Sequence, residues 1–153
     1  MIHTYSPLQR LRFRVFPFYL LFFLCCLINS HGQDLNEAIL GKWSMVSNGD
    51  GFLEATISFN DDHTYQLDRT WPDASKAGVK GGFLLNSEST PATLRMCLGD
   101  CNQAGSEWTS MFCIARATGS ETLEIYMSDS GDFPGDFPED PGSKGMYIFK
   151  RSE

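Results

Sequence analysis

The chain has 153 residues, with 12 Lys+Arg against 19 Asp+Glu and a formal net charge of −7. The first 32 residues hold Arg10, Arg12 and Arg14 and no acid, so residues 33–153 carry nine basic and 19 acidic side chains, a net −10. So acidic a domain repels phosphate backbones, which excludes nucleic acid as an expected partner, and 42% hydrophobic residues excludes a disordered chain.

The N-terminus reads as an address. Three arginines precede the apolar run Phe18–Ile28, and the small or polar residues Asn29, Ser30, His31 and Gly32 follow. A basic stretch, a short apolar core and a small-residue exit describe a secretory signal peptide over residues 1–32. Ser30 and Gly32 stand at −3 and −1 for cleavage before Gln33; cleavage after Ser30 also fits. The apolar run is 11 residues long, where a spanning helix needs about 20. No transmembrane segment is expected after cleavage. Cys25 follows Leu24 and Cys26 follows Cys25; neither follows a small residue, so lipid attachment is not expected. The expected location is secreted or periplasmic, with one domain over residues 33–153.

Asp34 to Leu40 has the pattern of a short helix. Asp34 is placed to cap it, Glu37 stands three residues on, and Gly41 ends it. Lys42 to Ser47 opens the strands. Leu53, Ala55, Ile57 and Phe59 then alternate with polar residues, which is the period of a half-buried strand. Asn60 to His63 is a turn, and Tyr65, Leu67, Arg69 and Trp71 alternate after it. Pro72 to Gly78 reads as a loop. Val79, Gly81, Phe83 and Leu85 form the next inward set, with glycines that would permit a bend or bulge. Ser87 to Pro91 turns the chain, and Leu94, Met96 and Leu98 alternate. Beyond a loop at Gly99 to Glu107, Trp108 to Arg116 is more apolar than the strands before it. Leu123, Ile125 and Met127 alternate with Glu124 and Tyr126. A long loop covers Asp129 to Lys144, and Gly145 to Arg151 is the last strand.

Eight evenly spaced strands after one short helix predict an all-β fold, an antiparallel up-and-down barrel of about eight strands. No ten-residue helical pattern separates strands, which argues against parallel crossovers. The expected interior comprises Leu53, Ile57, Phe59, Tyr65, Leu67, Phe83, Leu85, Met96, Phe112, Ile125 and Ile148.

Gly41-Lys42-Trp43, after a helix and opening the first strand, is similar to the Gly-x-Trp signature of lipocalins. Downstream come Gly82-Phe-Leu-Leu85, Pro91 before Ala92-Thr-Leu-Arg-Met96, Phe133-Pro-Gly-Asp-Phe137 and Met146-Tyr-Ile-Phe-Lys-Arg151. This order resembles the secreted bacterial lipocalin-like domains of unknown function over roughly residues 38–151. The resemblance implies that Trp43 lies across a closed barrel end, beneath Lys150 or Arg151 of the final strand, with Gly41 in the same structural motif. Two departures stand out: Phe133 occupies the place where Arg commonly precedes the Pro, and the acidic loop is long.

Three cysteines remain after signal removal, Cys97, Cys101 and Cys113. In an oxidising compartment an odd count implies one leftover thiol or an intermolecular bond. If Met96 and Phe112 face inward, Cys97 and Cys113 both face outward, and a hairpin centred near residue 105 would set them opposite each other. Parity therefore favours a Cys97–Cys113 bridge. Cys97–Cys101, Cys101–Cys113 and three free thiols are the alternatives. The spacing is not a redox Cys-x-x-Cys, and no nearby His completes a zinc set.

The loop 128–142 carries Gly-Asp-Phe-Pro twice. Asp129, Asp132 and Asp136 offer hard oxygens of the kind calcium prefers, but outside the EF-hand spacing. A solvated acidic loop whose Phe side chains fold onto the barrel is the simpler expectation. Arg69 is in phase with Tyr65 and Leu67: inward it would suit an anionic amphiphile, at the barrel mouth it would pair with an acid or water. His63 sits among turn residues, and no nucleophile elbow, paired His or phosphate loop appears. No enzyme activity and no cofactor are expected. The first functional expectation is a small apolar or amphiphilic ligand inside the barrel, which would need several hundred Å³. The alternative is a cell-envelope protein-interaction module with a filled core, acting through its acidic loop. The sequence names no partner.

Overall fold

In the computed structural model, residues 34–48, 51 and 53–152 are described; the expected signal peptide lies outside them. The period-two runs become eight strands: β1 Gly41–Asn48, β2 Glu54–Phe59, β3 Thr64–Thr70, β4 Lys76–Asn86, β5 Ala92–Leu98, β6 Ser110–Thr118, β7 Thr122–Met127 and β8 Met146–Arg151. Each pairs antiparallel with the next, and β8 pairs with β1, so the sheet closes into a barrel without edges. Helix α1, Leu35–Ala38, precedes β1. Asp34 caps it through its carboxylate, which accepts from the Asn36 backbone N–H at 3.0 Å. A 3-10 turn, Ser106–Thr109, replaces the start expected for β6. β4 begins three residues earlier than its alternating apolar set.

The core is the inner face of the barrel. Trp43, Ile57, Phe59, Tyr65, Phe83, Leu94, Met96, Leu123, Ile125 and Phe149 are buried in one cluster, with Leu67 and Leu85 packed against it. Alternation predicted β2, β3, β4 and β7 correctly, because charged residues mark their outer faces. The apolar strands β6 and β8 differ from the expectation. Phe112 does not line the interior; Met111, Cys113 and Ala115 do, and Phe112 lies outside against Phe133. Ile148 pairs with Glu124 on the outer face, while Tyr147 and Phe149 point inward with Ile125 and Leu123. Leu53 precedes β2 and is exposed.

The cysteine pairing differs for the same reason. Leu94, not Cys97, stands opposite Cys113, and Cys97 stands opposite Ser110. The hairpin is three residues out of the expected register, and an odd slip reverses faces. Cys97 bonds to Cys101, and Cys113 is a free thiol buried inside.

Candidate functional site

The two ends of the barrel differ. The end carrying α1 and the short connections 60–63, 87–91 and 119–121 is closed by Trp43. Its ring is fully buried and its indole N–H donates to the Ile39 carbonyl at 2.7 Å. Arg151, directly opposite on β8, lies over that ring at 4.2 Å. The guanidinium also donates to the carbonyls of Ala38 and Leu40, at 2.8 and 2.9 Å, and to Ser120 at 3.0 Å. One cation thus stacks on the Trp and satisfies the C-terminal carbonyls of α1. Gly41 leaves room for it: its φ is +108°, and a Cβ would lie 3.0 Å from Arg151 Nη1. Lys150 points away, towards Thr122.

Within the barrel lies a cavity of about 40 Å³. Its walls include Ile57, Leu67, Met96, Met111, Cys113, Ile125, Met127 and Phe149, and Arg69 reaches it as well. Arg69 also borders an outer depression beside Glu54 and Asp68, so it sits at the rim. Of the other residues expected to line a ligand space, Phe59, Tyr65, Phe83 and Leu85 fill the core without bordering this cavity. Burial pushes the Cys113 thiol up to about 12. Tyr65 is 1% exposed, and its hydroxyl, inside the barrel, has no hydrogen-bond partner among the described residues. Burial raises its pKa, the charge of Cys113 raises it further, and that of Arg69 lowers it.

Sequence reasoning missed Met111, Cys113, Tyr147 and Phe149 as lining residues. Two charges held the signal: Arg116 faces out to Glu124 at 2.6 Å, which sends residues 111, 113 and 115 inward, and the exposed Lys150 does the same for 147 and 149.

Outside the barrel is a far larger groove of about 800 Å³. Its walls come from the turn 60–63, from β3 and β4, and from residues 99–102. Asn60, Gln66, Lys80, Asp100 and Asn102 contribute polar groups, and Gly81, Gly82 and Gly99 contribute bare backbone. Two features shape it. A Cβ on Gly81 would lie 1.7 Å from the Cys97 carbonyl oxygen, so only glycine lets β4 pass this segment. The Cys97–Cys101 bridge then ties the neighbouring loop back to β5. Asp62 holds the turn by accepting from the Thr64 backbone N–H and hydroxyl, which keeps its carboxyl below the usual range. His63 rests edge-on to Phe83 at 5.5 Å.

The acidic loop folds back on the barrel. Phe133 meets Phe112 edge-on at 5.0 Å, and Phe137 lies under Arg116 at 4.2 Å. Asp129 pairs with Lys144, Asp136 accepts from the Phe137 N–H and Asp140 from the Gly142 N–H. Among the described residues, no three His, Cys, Asp or Glu side chains gather as a metal site, so Asp129, Asp132 and Asp136 do not converge.

No protein-family model matches the chain, and no curated protein or solved structure matches it either.

Proposed function

We propose that the chain is a non-catalytic binding module of lipocalin-like type, in which the barrel is a filled scaffold and the outer surface recognises a protein partner. One observation carries this reading: about 40 Å³ is free inside the barrel against about 800 Å³ in the outer groove. Ligand sites typically occupy about 300–1,000 Å³. The groove mixes donors, acceptors and bare glycine backbone, which suits an extended polar peptide segment. The basic-then-apolar N-terminus supports secretion, to the cell envelope or beyond it.

Peptides selected against the purified chain, titrated into 15N-labelled protein, test the reading. The expected shifts map to residues 60–66, 80–84 and 99–102, and Lys80→Glu weakens binding. Shifts confined to the barrel interior would overturn it.

A second reading, an amphiphile inside the barrel, is favoured by the apolar walls and by Arg69 at the rim. It requires the flexible Met side chains to move aside. Saturable shifts at Leu67, Met96 and Ile125 on adding a short-chain fatty acid would support this reading; unchanged spectra would exclude it.

A further inference from the structure

The interior cavity has an unusual chemistry for its size. Met96 stands opposite Met111 on the inner face. Met111 and Cys113 are two residues apart on β6 and share that face. Cys113 in turn stands opposite Met127. Directly opposed Cβ atoms in a sheet lie about 4.5–5.5 Å apart. Four sulfur side chains therefore form one contiguous patch over β5, β6 and β7, and all four line the same partly open cavity.

We propose that this patch binds one soft monovalent metal ion of the Cu(I) class, with Cys113 as thiolate ligand and Met96, Met111 and Met127 as thioether ligands. The inference is independent of the outer-surface reading above. Size supports it: about 40 Å³ exceeds the roughly 10–15 Å³ that one water-sized probe occupies and falls far below an organic ligand's need. Donor softness supports it too. Thioethers and a thiolate select Cu(I) over the hard cations that carboxylates and water hold.

Charge also balances. The ion enters as the thiol proton leaves to water, so one positive charge replaces another and the metal–thiolate unit is neutral. Nothing is added to the charge that Arg69 already brings to the rim, and no uncompensated ion is buried.

Ag(I), a soft ion that does not change oxidation state, is the probe. The titration uses the full chain with its disulfide intact and with Cys25→Ser and Cys26→Ser, which remove the two N-terminal thiols. The expected result is saturable uptake of one Ag(I) per chain, a raised unfolding temperature and a sulfur-only coordination shell by X-ray absorption. Cys113→Ala should weaken binding at least tenfold. Met111→Leu and Met127→Leu conserve volume and should each weaken it severalfold, which keeps the test decisive if the alanine variant does not fold. Absence of saturable uptake, a shell of nitrogen or oxygen, or undiminished binding by the methionine variants would overturn the proposal.

Discussion

The closed end and the cavity region of this barrel solve the same packing problem in opposite ways. At the closed end Trp43 fills the space and its one polar atom is satisfied, while Arg151 donates to three carbonyls. Around the cavity the walls include flexible thioethers and a thiol. The first region is built for rigidity. The second keeps a small void, and soft side chains, at a stability cost that tighter packing would remove. A module that recognises partners on its outside needs the first kind of construction; an ion site needs the second.

The comparison predicts a hierarchy of effects. Trp43→Ala should cost about 3–5 kcal/mol in denaturant unfolding. Arg151→Ala should cost about 2–3 kcal/mol, from the lost cation–π contact and charged hydrogen bonds. A loss under about 1 kcal/mol at either site would show that the closed end is not the anchor.

Reduction of the Cys97–Cys101 bridge should cost about 2 kcal/mol, since the loop it closes is short. Alkylation of the Cys25→Ser, Cys26→Ser protein under native, non-reducing conditions should leave Cys97, Cys101 and Cys113 unlabelled, with Cys113 alone labelled once denaturant is added. Labelling of Cys97 or Cys101 in unreduced protein would refute this pairing.

Cys113 makes the cavity sensitive to alkali. Its pKa is raised from 9.0 to about 12 by burial. The folded thiol keeps its proton while the unfolded one releases it, so this contribution is complete below about pH 9 and is lost as pH rises towards about 12. The slope is about 1.4 kcal/mol per pH unit. Melts of the parent and of Cys113→Ala between pH 7 and 11 should converge with rising pH; parallel curves would refute the buried thiol.

The smallest effect belongs to the exposed pair Lys144–Asp129 on the acidic loop. Lys144→Ala should change stability by less than about 1 kcal/mol, and less still at high salt.

How much was legible depended on where charge stood. Asp68 and Glu124 marked the outer faces of β3 and β7, so Leu67 and Ile125 were placed correctly. On β6 the candidates Phe112, Cys113 and Ile114 are all apolar, and only Arg116 at the far end of the strand reveals which alternate set is inside. The Met–Cys patch was hidden because it spans three strands: Met96, Met111 and Met127 each look like core filler until the register joins them. The outer groove was hidden for a related reason, since its walls come from segments as distant as residues 60 and 102.

The sequence by itself determined the all-β class, the eight strands, the closed up-and-down order and the helix before Gly41. Those follow from local period, turn residues and chain order; a basic residue over Trp43 was implied by the resemblance to lipocalins, which left Lys150 and Arg151 both open, and Arg151 is the one that lies there. Tertiary structure alone decided the hairpin register between β5 and β6, and with it the faces of Phe112 and Cys113, the Cys97–Cys101 bridge and the size of the interior void. Register is a choice among nearly equivalent local pairings. Packing against the whole barrel settles it, because one odd step exchanges every inward side chain for an outward one.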